Sequence, residues 1–333
     1  MKKIYTLSFF FFSSFLLLQG QQDPTITTYM FNGLAFNPAY AGSQGFLSSN
    51  FVNRSQWLGW SDNESTAPKT QILSLHAPIQ ERIGLGFHIS NDVIGATRST
   101  NLSFAYAYRV KLPIGVASIG LQSSLYSWRA DWSNVTLKDG FELDPAFNGM
   151  QESKVLPNFG IGTYFRADNY YVGISIPRLL QLDLTAADDY SDTAFTNAQL
   201  YRQFYFTAGG IIPIFSDDLV FKPSLLFRKI GTFGRSDVQT TQVAAPTSLD
   251  LDASLLFLQT LWVGTSYRWA LGNSSHDSLD FWAAFYLQNG LRLGFAYDIS
   301  LTPIRQSSNG SLEIMLGYDF NFKVSNVQSP RYF

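Results

Sequence analysis

Apolar and polar positions alternate along most of this chain with a period of two. In Leu291–Ser300 one face reads Leu291, Leu293, Phe295, Tyr297 and Ile299, and the other Arg292, Gly294, Ala296, Asp298 and Ser300. Leu312–Lys323 repeats this, setting Leu312, Ile314, Leu316, Tyr318, Phe320 and Phe322 against Glu313, Met315, Gly317, Asp319, Asn321 and Lys323. A period of two belongs to a β-strand with unlike faces. Strands of soluble sandwiches usually run about five or six residues. These segments run to about ten or twelve, the length a tilted strand needs to cross hydrocarbon. Ile83–Ser90, Asn101–Val110, Ser248–Phe257 and Leu261–Trp269 carry the same pattern. Weaker versions cover 46–58, 67–78, 115–128, 154–166, 169–177, 201–213, 218–229 and 278–288. The pattern predicts an all-β fold: a transmembrane β-barrel of about fourteen antiparallel strands over 46–323, an even number as in single-chain bacterial barrels.

The connections test this independently. Every second one is predicted to be tight, near Ile79-Gln80, Leu112-Pro113, Ala167-Asp168, Ser216-Asp217, Gln259-Thr260 and Asn289-Gly290. The longest polar stretches, 130–153, 178–200 and 231–246, all fall on the other parity. Outer-membrane barrels have short periplasmic turns and long extracellular loops, so an N-terminus in the periplasm is expected.

The ends do not alternate. Lys2 and Lys3 precede an apolar run, Ile4–Leu18, and then Gln19 and Gly20. This is the layout of a secretory signal peptide over 1–20, cleaved near Gly20, and no cysteine follows to carry a lipoprotein anchor. Residues 21–45 are punctuated by Pro, Gly and Asn and are expected to form a segment at or in the periplasmic mouth, partly plugging the lumen. Residues 324–333 read as a C-terminal tail.

Composition narrows the class. Aromatic residues make up 16% of the 333 residues and charged residues 14%, against about 25% charged in soluble domains. An exported chain this poor in charge needs an apolar solvent for its surface, and no stretch after the first is long enough for a membrane helix. Only a closed barrel then satisfies the backbone in lipid. The absence of cysteine excludes disulfides and thiolate metal sites, and a net charge of −2 argues against nucleic-acid binding.

The predicted inner faces carry Arg54, Arg109, Arg166, Arg228, Arg268, Arg292, Asp250, Asp252, Asp298, Glu313 and Asp319. Charges of both signs point to an interior crosslinked by ion pairs, including a ladder of Asp250 and Asp252 with Arg268, the alternative being a cation held by Asp250, Asp252 and Asp298. Trp57, Trp60, Trp128, Trp132, Trp262 and Trp269 are candidates for interfacial girdles, some facing the lumen instead. The three histidines, His76, His88 and His276, show neither metal-ligand spacing nor a nucleophile–base constellation. No enzyme activity, cofactor or metal is expected.

Certain residues resemble a known family. Gln22-Asp23-Pro24, Tyr29-Met30-Phe31-Asn32 and Asn37-Pro38-Ala39-Tyr40-Ala41-Gly42 resemble the N-terminal signature of the PorP/SprF family of the Bacteroidetes type IX secretion system. Arg54-Ser55-Gln56-Trp57 is similar to its first strand, and Asn91-Asp92 with Ile94-Gly95 to its first sharp loop. Tyr297-Asp298, Gly310-Ser311 and Glu313 resemble its last hairpin, and Ser329-Pro330-Arg331-Tyr332-Phe333 its ending; Leu312 stands where the family often has His. The resemblance implies an outer-membrane barrel serving secretion or surface display. Its partners would be a secreted, adhesin-type cargo with a C-terminal sorting domain and periplasmic or lipoprotein components of the secretion and gliding machinery. It singles out Asn37, Pro38, Tyr40, Gly42, Arg54, Gln56 and Trp57 as partner-binding or lumen-closing. The rival reading is an outer-membrane channel for hydrophobic solutes, in the manner of fatty-acid-uptake barrels.

Overall fold

The structure is a computed structural model that describes residues 24–60, 67–131, 151–184, 199–215, 218–231, 247–271 and 275–320. The wall strands are β1 Leu47–Ser55, β2 Lys69–Gln80, β3 Ile83–Ile94, β4 Thr97–Leu112, β5 Gly115–Asp131, β6 Gln151–Arg166 and β7 Tyr170–Arg178. They continue as β8 (Gln203–Gly210 and Ile212–Phe215, interrupted at Ile211), β9 Leu219–Ile230, β10 Thr247–Phe257, β11 Leu261–Leu271, β12 Ser275–Tyr286, β13 Leu291–Ser300 and β14 Ser311–Phe320. Leu182–Asp183 and Gln199–Leu200 form a separate two-stranded ribbon.

Each strand pairs antiparallel with its sequence neighbours, and β1 pairs with β14 from Leu47–Phe320 to Ser55–Leu312. The sheet closes on itself into a barrel of fourteen strands among the described residues. Closure leaves no strand edge. Connections sort by end as the sequence predicts: at one end each strand reaches its partner within a few residues, while the strand ends joined through 56–68, 132–150, 179–202, 231–246 and 301–310 are all at the other. These are called the turn end and the loop end below.

Two details differ from the pattern. The first turn falls at Glu81-Arg82 rather than Ile79-Gln80, because the β2–β3 register shifts between Pro78 and Gln80. The hairpin of β4 and β5 runs further toward the loop end than its apolar alternation. There Arg98, Thr100, Ser127 and Arg129 make the outer face polar too, so the period-two signal fades while the pairing goes on.

Burial is inverted relative to a soluble protein. Charged and polar side chains fill the interior: Arg54, Asp280 and Glu313 are at most 2% exposed. Large apolar side chains face outward, among them Phe104, Tyr106, Ile119, Leu121, Phe281, Phe295 and Leu316. A wall with this outer face is solvated by lipid. Leu121→Arg, at the middle of the outer face of β5, is therefore expected to cost about 2–4 kcal/mol. Urea-dependent folding into lipid vesicles measures it, and an unchanged midpoint would contradict lipid contact at that position.

Candidate functional site

The lumen holds the chain's own N-terminal segment. Residues 24–45 pass through three short 3-10 turns, Tyr29–Phe31, Gly33–Ala35 and Pro38–Tyr40, and nearly all of their side chains are buried. Asn37 starts the last turn: its Oδ1 accepts from Ala39 N (2.9 Å), and Pro38 follows at the first helical position, where its missing N–H is no loss. The Asn37 amide also donates to Thr163 O on β6 (2.9 Å), which holds this turn on the wall.

Inward-facing glycines make room for it. A methyl group at Gly120 would collide with the backbone of Pro38 and Ala39, at Gly84 with Ala41 O, and at Gly162 with the Asn37 side chain. At Gly86 it would lie 2.7 Å from Leu34. The bare wall of β3, β5 and β6 thus accepts the Asn37–Gly42 backbone directly. Gly42 sits at φ +71°, against Gly84, Ala77 and Pro78; a side chain there would suffer both strain and collision. Arg109 donates to Gly42 O and to Gln80 O (2.9 Å), fixing the segment at the turn end. On the opposite wall Phe31 packs edge-on against Trp262 and Trp282 (4.7 and 5.4 Å between ring centroids), and Lys222 Nζ lies 3.4 Å from the Trp262 ring centre.

Toward the loop end the segment meets a buried charge cluster. Arg54 pairs with Asp298 and with Glu313 (3.3 Å). Arg268 pairs with Asp250 (2.6 Å) and, more distantly, Asp280 (3.9 Å). These two guanidiniums face four carboxylates. Thr27 and Thr28 supply the missing donors: Thr27 N and Thr28 N donate to Glu313 (2.9 and 3.0 Å), the Thr28 hydroxyl also reaches Glu313, and the Thr27 hydroxyl donates to Asp298 (2.6 Å). Unpaired buried carboxylates are costly, so the segment is part of the electrostatic balance of the wall. Nearer the turn end, Arg292 pairs with Asp319 (3.0 Å), which also accepts from Ser48 (2.8 Å).

The cavities left beside the segment are small. One of about 50 Å³ lies among Tyr29, Asn37, Tyr171, Lys222 and Trp262. Another of about 60 Å³ lies among His88, Asp92, Tyr126, Arg178 and Gln203. Each has room for a few water molecules.

A barrel with a lumen filled in this way, and with these sequence marks, has a counterpart among known families. The family profile described as "Type IX secretion system membrane protein PorP/SprF" matches residues 18–318. The chain belongs to the PorP/SprF family. Comparison with curated proteins returns no match. Among solved structures the chain is similar to the Acinetobacter baumannii outer membrane protein Omp33 (5% identity, 83% of this chain and 98% of that one, TM-score 0.46) and to a Pseudomonas aeruginosa FadL homologue (12%, 91% and 96%, TM-score 0.46). The KdgM porin follows (11%, 82% and 99%, TM-score 0.37). At these scores they add nothing to what the strand pairing shows. Family and wall together make this an outer-membrane protein.

The PorP/SprF-like residues divide by location. Asn37, Pro38, Tyr40, Gly42 and Arg54 are buried inside the barrel, with Tyr40 stacked edge-on against His76 and Tyr164. Gln56 and Trp57 lie beyond β1 at the loop end. Gln56 N donates to Pro68 O (2.9 Å) and Trp57 N to Ser311 Oγ (3.3 Å), and Trp57 and Trp60 are in ring contact. Trp262 faces the lumen and Trp269 faces out; Trp132 lies outside the described residues. His76 accepts from Gly42 N (3.3 Å), His88 bonds Ser74 (3.0 Å) and His276 contacts Tyr267. Asp250 pairs with Arg268, while Asp252 accepts from Ser266 and Trp282 (2.6 and 2.7 Å).

Sequence reasoning missed Thr27, Thr28, Asp280 and Lys222. A signal existed for Asp280, which is opposite Asp298 in the β12–β13 register, but the alternation of 278–288 is too weak to place it.

Gly120→Val puts a branched side chain where Pro38 and Ala39 sit. The native protein is expected to show no stepwise conductance in a planar bilayer, and this variant to show it. Glu313→Ala, which removes the acceptor of Thr27 N and of the Thr28 N–H and hydroxyl and one of the two carboxylates of Arg54, is expected to destabilise the barrel by about 3–5 kcal/mol, read as a lower temperature for loss of compact gel mobility.

Proposed function

We propose that this PorP/SprF barrel is a docking component of the type IX secretion system rather than a conduit. The observation that carries this is the filled lumen: residues 24–45 are pinned to Glu313 and Asp298 toward one end and to Arg109 toward the other. Passage of a solute or a polypeptide through the barrel would require these bonds to break. What remains available to partners is the two rims.

In this reading the turn end faces the periplasm and the loop end faces outward, as short turns and long loops do in bacterial barrels. The wall then begins, at Leu47, from the periplasmic side, and the segment before it runs up the lumen so that Thr27 and Thr28 lie toward the outer end. The loop end, including 130–153, 178–200 and 231–246, binds an exported, adhesin-type cargo through its C-terminal sorting domain. The turn end meets periplasmic or lipoprotein components and so links the cargo to the secretion and gliding machinery. The chain acts by binding, not as an enzyme, and uses no cofactor. The hydrophobic-solute channel has less support. The two lumenal cavities described above, of about 50 and 60 Å³, are far below the roughly 300–1,000 Å³ of a small-molecule site, and the space of about 400 Å³ among Tyr108, Ile119, Phe165 and Ile174 lies on the outer wall.

Two measurements test this. Capture of the protein from native outer membranes in mild detergent is expected to recover a secreted cargo and a periplasmic machine component. Replacing 231–246 with a short Gly-Ser linker is expected to lose the cargo alone; recovery of neither partner by the native protein would sink the reading. Orientation is separable, because the chain has no cysteine. Arg305→Cys, exposed at the loop end, is expected to react with a membrane-impermeant maleimide on whole cells, and Arg82→Cys, exposed at the turn end, to stay unlabelled.

A further inference from the structure

The outer wall changes character where β2 to β6 approach the loop end. Strand register places Lys69, Val93, Arg98, Arg129 and Ser153 in one cross-strand row. The next row toward the turns is Gln71, Asn91, Thr100 and Ser127, and the one after it is Leu73, Ile89, Leu102 and Leu125, where the apolar band begins. All of these face away from the lumen. Arg98 shares its face of β4 with Phe104, Tyr106 and Tyr108, and Arg129 shares its face of β5 with Ile119, Leu121 and Leu125.

Arg98 and Arg129 are directly opposed across β4 and β5. Like charges in that relation repel, with Cα atoms only about 5 Å apart. Lys69 adds a third cation two strands away. All three are exposed, and none of their side chains makes a hydrogen bond or ion pair among the described residues. Among the lumenal arginines, Arg54, Arg268 and Arg292 each have a carboxylate, and Arg109 and Arg228 donate to neutral protein oxygens. The uncompensated cations are on the outside, immediately above a polar row and an apolar wall.

That layering matches an anionic lipid read from head to tail. We infer that Lys69, Arg98 and Arg129 form a binding site for the phosphate of a lipid headgroup in the leaflet beside the loop end. Guanidinium forks bind phosphate bidentately, and a phosphate between Arg98 and Arg129 removes their repulsion. Thr100, Ser127, Asn91 and Gln71 are placed to hydrogen-bond the headgroup below it, and Leu102, Phe104, Leu121 and Leu125 to take its acyl chains. With the orientation proposed above this is the outer leaflet, and the lipid is a phosphorylated glycolipid of the lipid A type. The choice of leaflet and of lipid A rests on that orientation; the phosphate chemistry of the headgroup does not.

The test is lipid retention. The native protein, Arg98→Gln/Arg129→Gln and Lys111→Gln are each folded into phosphatidylcholine vesicles doped with diphosphoryl lipid A, extracted in mild detergent, and examined by native mass spectrometry for bound lipid. Lys111 is an exposed cation at the turn end of β4 and controls for charge alone. The native protein and Lys111→Gln are expected to keep lipid A, and the double variant to lose it by roughly tenfold. Compact gel mobility checks folding, and Arg98→Gln alone replaces the double variant if that one fails to fold. Equal retention by the arginine variant overturns the site, as does equal loss in Lys111→Gln or no retention by the native protein. Displacement of the lipid by millimolar inorganic phosphate would mark a free-anion site and overturn the lipid assignment. Cargo capture is a separate readout, so failure here leaves the docking function standing and the reverse also holds.

Discussion

Pairing of Leu47–Ser55 with Ser311–Phe320 closes the sheet, and the rest of the structure follows from that closure. In hydrocarbon every backbone N–H and C=O must find a partner within the protein. An open sheet leaves two edges bare; the β1–β14 seam removes both. Once closed, the wall has one face for lipid and one for the lumen, and the period-two alternation with its inverted polarity is the consequence. The number of strands then sets a second demand. A barrel of about eight strands is filled by its own side chains, but one of fourteen is wider than inward side chains can fill. This chain meets the demand with a segment of backbone, Pro24 to Gly45, lowered onto a wall cleared by Gly84, Gly86, Gly120 and Gly162.

The wall was legible in the sequence because its signal is local. Alternation in Leu291–Ser300 and Leu312–Phe320 locates a strand, its faces and its length from neighbouring residues alone. Parity of the connections adds the two ends. Where both faces turn polar, as at Arg98 and Arg129, the same logic loses the strand although the pairing continues. The filling of the lumen was less legible because its contacts are not local. Thr27 meets Asp298 and Glu313, more than two hundred and fifty residues away, and Asn37 meets Thr163. No periodicity encodes those meetings. The family resemblance drew attention to Asn37, Pro38, Tyr40 and Gly42, yet gave no reason for them; the reason is the glycine-lined floor on the opposing strands. Strand glycines were visible as such, but their spatial alignment across β3, β5 and β6 exists only once the register is set.

The buried charges are better understood as register devices than as a source of stability. A buried ion pair contributes little net free energy against an apolar replacement of the same shape. Arg54 and Glu313, however, are direct partners across the closing seam, and Asp250 and Arg268 are direct partners across β10 and β11. Slipping a strand by one residue turns its whole inner face to the outside. Such a slip of β1 would turn Arg54 to the outer face and leave the Glu313 and Asp298 carboxylates buried without their guanidinium. Thr27 and Thr28 would keep their acceptors but no longer share them with Arg54. The segment inside the barrel and the seam that closes it therefore select one another: the correct register is the one in which Thr27, Thr28, Arg54 and Glu313 are all satisfied together. Filling the lumen and closing the seam are thus a single folding problem, solved by one set of residues.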